Sequence, residues 1–173
     1  MNLAALPELW PGAPPAASIY HRLVDKEYAQ QIDEIAQTVL RSWRYNPRGE
    51  FGILYLSSSP ACAYREKLKQ MFGRKDYLKP QVVGQFGVNL PKCLHLTNSA
   101  CLAKLAVSRE QLADPSDFSV PQSIAREARR IGFEAIIAPS AIGEDCHTLV
   151  VFKDRLSPPA QCICDLDSIR DYP

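Results

Sequence analysis

Net charge is almost missing from this chain: 20 Lys and Arg stand against 19 Asp and Glu, a formal +1 over 173 residues. So balanced a composition gains little from non-specific attraction to a polyanion, and a direct nucleic-acid role would need a local basic patch. No apolar run approaches the roughly 20 residues that cross a bilayer, so no membrane partner is expected. The opening "MNLAALPELWPGAPPAASIY" has no basic n-region, and prolines break it before an apolar core can form. A secretory signal is therefore not expected, and the cytoplasm is the expected compartment. Also missing are G-x-G-x-x-G after a strand, G-x-x-x-x-G-K-S/T, H-E-x-x-H and G-x-S-x-G, which removes the commonest nucleotide and hydrolase signatures. Histidines stand only at 21, 95 and 147, none with a second ligand at metal spacing. The six cysteines carry no mark of secretion, so buried free thiols are expected. Cys162 and Cys164 form C-x-C on one face of an expected strand, without the gap or the second half-site of a zinc site, and no metal is expected.

What is present is the composition of an ordinary globular domain, 46% hydrophobic and 23% charged. The length suits a single domain, taken here as residues 18–173 after an irregular, proline-rich lead-in at 1–17. "SIYHRLV" alternates as a short strand. Tyr28, Ile32, Ile35, Ala36, Val39 and Leu40 follow helical spacing, predicting one helix over 27–40. "YNPRGE" is a turn and "GILYLS" a strand. Ser59 as N-cap and Pro60 at the first position open the next helix. "VVGQFGVNL" and "KCLHLTN" read as strands, and "SACLAKLAV" as a short helix. "SREQ" at 108–111 has capping-box spacing, and "PQSIAREARRIGF" is a helix stopping at Gly132. "EAIIAPS", "HTLVVF" and "AQCICDL" complete the strands. Strands that do not strictly alternate with helices point to an α+β fold with mostly antiparallel, twisted sheets flanked by short helices.

Several residues carry possible chemistry. On a helical wheel from Ala61, residues 61, 64, 68, 71 and 72 form the apolar stripe, while Glu66 shares the opposite side with Ser59, Cys62, Ala63 and Gln70. Periodicity alone makes Glu66 a solvated carboxylate. Alternatively, the small residues around it let a ligand or a backbone approach. Tyr55, near the end of an apolar strand, is a core or rim aromatic, or a stacking platform with an anchored hydroxyl. Arg22 is a surface charge, or a fork suited to a phosphate at a cleft. Ser140 follows Pro139 at a strand end without an adjacent base, which favours hydrogen bonding over nucleophilic attack. The charges of "SIAREARRIGF" at 126, 127, 129 and 130 read as a solvated face with local pairs.

Taken in order, "YHRLV" with Arg22, "RYNPRGEFGILYLSSSPACAYRE" with Tyr55 and Glu66, "VNLPKCLHLTN", and "GFEAIIAPSAIGEDCHTLVVF" with Ser140 resemble the RES-domain family. These are the toxins of bacterial RES/Xre type II toxin–antitoxin pairs. The resemblance implies an ADP-ribosyltransferase-like fold and an enzyme that takes NAD as substrate. It would cleave the nicotinamide–ribose bond and pass ADP-ribose to water, phosphate or a protein. It also implies a cognate Xre-like helix-turn-helix antitoxin, through which alone nucleic acid would be met. In that setting Glu66 would stabilise the cation developing on the ribose, as carboxylates do in glycoside cleavage. Arg22 would hold the pyrophosphate, with Arg44 and Arg48 as further diphosphate candidates. Tyr55 would stack on nicotinamide or orient its ribose, and Ser140 would fix the nicotinamide end. The alternatives are transfer to a protein target and a binding module without catalysis.

Overall fold

Alternation of apolar side chains along two short strands decides the architecture. In the computed structural model, which describes residues 1–15, 17–143 and 145–173, Ile136, Ala138 and Val150 enter one core while Ala135, Ile137, Leu149 and Val151 enter a second. Burial on both faces explains why these segments read as continuous apolar runs. The strands are β1 (Ile19–Asp25), β2 (Leu54–Ser57), β3 (Gln81–Asn89), β4 (Cys93–His95), β5 (Ala135–Pro139), β6 (His147–Val151) and β7 (Gln161–Tyr172). They form one sheet in the order β4-β5-β6-β2-β1-β3-β7, parallel only between β4 and β5. The expected α+β class with a mostly antiparallel sheet is what is found. The wing β4-β5-β6-β2 meets the wing β1-β3-β7 through a single register pair, His21 with Ser57.

The helices are α1 (Ala36–Val39), α2 (Pro60–Gln70), α3 (Ser99–Leu105), α4 (Arg109–Ala113) and α5 (Ser119–Ile131). The start and stop signals act as anticipated. Ser59 Oγ accepts from Cys62 N–H with Pro60 opening α2, Ser108 and Gln111 close a capping box on α4, and Gly132 ends α5 at a left-handed φ of 111°. The α5 charges pair more widely than expected. Arg130 meets Glu127 locally, but Arg126 reaches Glu50 and Arg129 reaches Asp154.

Three expectations are corrected. The single helix over 27–40 is instead a 3-10 segment, Lys26–Gln31, and the four-residue α1. Arg22 on β1 is the physical reason: its Nη1 donates to the carbonyls of Ile32 at 2.8 Å and Glu34 at 3.0 Å, acceptors that a continuing helix would need for itself. The Ile32 side chain lies over Gly84, where an added Cβ would sit 2.8 Å from Ile32 Cδ1.

The lead-in is less irregular than proposed. Leu3–Leu9 is a 3-10 helix, in which a three-residue spacing aligns Leu3, Leu6 and Leu9, and Leu6 is fully buried in the first core. Trp10 packs edge-on against Phe133 with centroids 5.1 Å apart. Ala16, also assigned to the lead-in, lies outside the described residues. Leu6→Ala should cost about 2–4 kcal/mol, as for other buried leucines, and an unchanged thermal midpoint would show that the segment is dispensable.

Finally, the cysteines are not all free. Cys62 and Cys146, 84 positions apart, form a disulfide, while Cys93, Cys101, Cys162 and Cys164 are thiols. Folding α2 across the sheet brings the pair together, which no local spacing announces. Cys162 and Cys164 do share one face of β7, opposite Val88 and Phe86. Among the described residues no helix is long and apolar enough to cross a membrane.

Candidate active site

Glu66 is held by hydroxyls. Its Oε1 accepts from Ser140 Oγ at 2.7 Å and Thr148 Oγ1 at 3.1 Å, and its Oε2 accepts from Ser57 Oγ at 3.1 Å. Each donor is placed by the sheet. Ser57 and Thr148 are directly paired across β2 and β6, and Ser140 follows the last residue of β5, the next strand along. Ser57 is also the residue that joins the two wings, so the carboxylate sits over the seam of the sheet.

The buried side of α2 is the small-residue side, Cys62 and Ala63, while Ala61 is exposed and Phe72 is 92% exposed. The apolar stripe of the wheel is thus not the most deeply buried face, although Tyr64, Leu68 and Met71 are half-buried and Tyr64 packs edge-on against Tyr172. Small side chains allow close contact of helix and sheet, and this brings Glu66 down onto the strand hydroxyls.

Around Glu66 lies a cavity of about 420 Å³, within the ordinary range for small-molecule sites. Arg22, Arg44, Tyr55, Glu66 and Ser140 all line it, together with Trp43, Lys69, Phe118 and Thr148. Of the anticipated site residues, only Arg48 is not among its lining, and it is exposed to solvent. Tyr55 has its hydroxyl anchored: it donates to Asn46 Oδ1 at 2.9 Å and accepts from Tyr45 N–H at 3.0 Å. Burial pushes its phenol well above the usual range, so the residue presents a neutral ring. Arg44 donates to the carbonyls of Leu112 and Asp114 and lies over the Phe118 ring, 5.0 Å from its centroid.

The lining therefore combines three cations, Arg22, Arg44 and Lys69, with one carboxylate and several aromatic rings. That pattern suits an anionic ligand with a flat heterocycle and one point where positive charge develops. A second concavity of similar size shares no lining residue with it. Two of its three lysines are already neutralised, Lys26 by Asp171 and Lys79 by Glu27. The Glu66 cavity is the better candidate on chemistry.

Sequence reasoning missed Ser57, Thr148, Lys69 and Trp43. Two of these had a usable signal: Ser57 stands two residues from Tyr55 and so on its face of β2, and Lys69 stands one helical turn from Glu66.

The family model for the RES domain matches residues 19–173. The chain belongs to the RES-domain family. A curated relative, a probable NAD(+) phosphorylase of Mycobacterium tuberculosis, is 32% identical over 115 residues, covering 65% of this chain and 54% of that protein. The RES-domain chain thus spans about half the length of the curated relative it matches. Among solved structures, the crystal structure of the M. tuberculosis MbcT–MbcA toxin–antitoxin complex matches with a TM-score of 0.75 at 15% identity, covering 98% of this chain and 91% of that chain. At that identity the likeness is one of fold.

Proposed function

We propose that this RES-domain protein is a toxin that cleaves the nicotinamide–ribose bond of NAD and transfers ADP-ribose to inorganic phosphate. One observation carries the proposal: a single carboxylate, oriented by three hydroxyls, in a cavity lined by three cations and a ring with an anchored hydroxyl. As the C–N bond breaks, its electron pair leaves with the nitrogen. Nicotinamide departs neutral, needing no proton, and the ribose becomes oxocarbenium-like. Glu66 supplies the fixed negative charge opposite that cation. Arg22, with Arg44 as a further cation, takes the pyrophosphate; Tyr55 stacks on the nicotinamide or orients its ribose; and Ser140 holds Glu66 and the nicotinamide end. Arg48 is assigned at most an outer contact with the diphosphate. No residue is required to form a covalent intermediate, and no metal is invoked.

Phosphate as acceptor is supported by the relative described as a probable NAD(+) phosphorylase. A protein antitoxin as partner is supported by the fold shared with a protein solved in a toxin–antitoxin complex; its Xre-like helix-turn-helix type rests on the family resemblance alone. The four free thiols suit a reducing cytoplasm, where the Cys62–Cys146 disulfide would be the exception. The test is to incubate the purified chain with NAD, with and without phosphate, and to separate the products. Phosphate-dependent release of nicotinamide with a phosphorylated ADP-ribose is the expected result. Free ADP-ribose would mean water as acceptor, and label from NAD retained on a protein would mean a transferase. Intact NAD under all conditions would leave a binding module.

A further inference from the structure

Four ties run from one face of α2 to the loop that follows β5. Cys62 is bonded to Cys146. Arg65 donates to Asp145 at 2.9 Å and to the Ile142 carbonyl at 2.7 Å, and Lys69 donates to the Ala141 carbonyl at 2.9 Å. Glu66 receives Ser140. Positions 62, 65, 66 and 69 are the i, i+3, i+4 and i+7 sites of a single helical face. Gly143 makes room for the arrangement, since an added Cβ would stand 2.9 Å from Arg65 Nη2 and 2.6 Å from Asp145 Oδ1.

Among the described residues, the loop has little of its own to hold it. Its internal bonds are long: Ser140 N–H to the Cys146 carbonyl at 3.2 Å, Cys146 N–H to the Gly143 carbonyl at 3.3 Å, and Ile142 N–H to Ser140 Oγ at 3.4 Å. Yet Ser140, Ala141 and Ile142 wall the Glu66 cavity. The Arg65–Asp145 pair is 45% and 69% exposed, hence weak and salt-screened. Among the described residues, the disulfide is the one covalent tie from the loop to α2.

We propose that Cys62 and Cys146 form a thiol-controlled clamp, with Arg65 as its positioning partner, which holds Ser140 and its loop against Glu66 when oxidised and releases them when reduced. In a reducing compartment the pair would rest as thiols and close under oxidation, the usual pattern for disulfides there. The oxidant is a low-molecular-weight disulfide. Both cysteines are buried in the closed structure, so exchange proceeds from the opened loop: one cysteine thiolate attacks the oxidant, expelling the first thiol and leaving a mixed disulfide. The other cysteine then attacks that protein sulfur, expelling the second thiol. Two protein thiols lose two electrons and two protons, and one disulfide becomes two thiols. Arg65 Nη1 stands 3.7 Å from Cys146 Sγ, and the Asp145 carboxylate lies within 4.8 Å of both sulfurs, so Arg65 acts on the pair by position. The clamp's effect on turnover rests on the NAD-cleavage proposal; its effect on the loop does not.

The experiment compares the full chain treated with glutathione disulfide and with dithiothreitol, reading amide hydrogen exchange over 140–146 alongside NAD kinetics. Thiol alkylation and mass spectrometry report the bond itself. Reduction should speed exchange at 140–143, 145 and 146 about tenfold or more while β5 and β6 stay protected, as expected for a locally opening loop. It should also raise KM for NAD about fivefold with a smaller change in kcat, the signature of lost positioning in the bound state. Cys62→Ser/Cys146→Ser should behave as the reduced form under both treatments, and Arg65→Lys should retain more of the oxidised-state KM than Arg65→Ala. Failure to form the 62–146 bond, or equal exchange in both states, overturns the clamp whether or not NAD is consumed. Altered exchange with unaltered kinetics removes its role in positioning the site. Altered exchange with no NAD cleavage in either state keeps the clamp and rejects the reaction.

Discussion

Glu66→Gln is expected to slow NAD cleavage by about a hundredfold or more, the size of effect seen when one preorganised electrostatic contact with a transition state is lost. Glutamine is the informative replacement because it keeps the shape of the side chain and removes its charge. Ser57, Ser140 and Thr148 all donate to the present carboxylate. A carboxamide still accepts through its oxygen, and a rotating hydroxyl can accept from its NH2, so the cluster stays satisfied. Glu66→Ala would instead strand three hydroxyls, two of them on buried serines, and mix a stability loss with the catalytic one. The measurement is nicotinamide release by chromatography, paired with a thermal melt. A large fall in kcat with a nearly unchanged melting temperature is the expected outcome. Undiminished release would remove Glu66 from the chemistry and with it the proposed mechanism.

Much of this arrangement could be read before any coordinates, and the failures have physical causes. Strands and capped helix ends were legible because they depend on neighbours in sequence, as at Ser59, Ser108 and Gly132. The break in the helix expected over 27–40 was not, because its cause is Arg22, a residue on another element that takes the Ile32 and Glu34 carbonyls. The face of α2 was misjudged for a similar reason. A wheel ranks faces by hydrophobicity, but α2 packs by closeness of approach, and Cys62 and Ala63 offer that where Phe72 does not. Arg22, Tyr55, Glu66 and Ser140 were singled out with the help of the family resemblance. The hydroxyls that hold Glu66, and the cysteine pair behind it, become visible only once β2, β5, β6 and α2 are brought together.

The second large effect is expected at Arg22, where two roles can be separated. Its Nη1 is committed to the Ile32 and Glu34 carbonyls, while among the described residues no acceptor is recorded for Nε or Nη2. Arg22 nonetheless lines the cavity. Burial pulls the guanidinium below its usual range, and nearby Asp33 opposes that pull. A fork can bracket a chain segment with one nitrogen and grip an anion with the others; an ammonium is a single point charge and cannot hold that geometry. Arg22→Lys should therefore raise KM for NAD and lower kcat/KM by about tenfold to a hundredfold, the worth of one or two charge-assisted hydrogen bonds. It should also cost about 1–2 kcal/mol of stability through the loosened carbonyls. If the melting temperature falls while KM stays put, Arg22 is a bracket for residues 32–34 and nothing more. The pyrophosphate would then fall to Arg44 and Lys69, the other cations of the cavity wall.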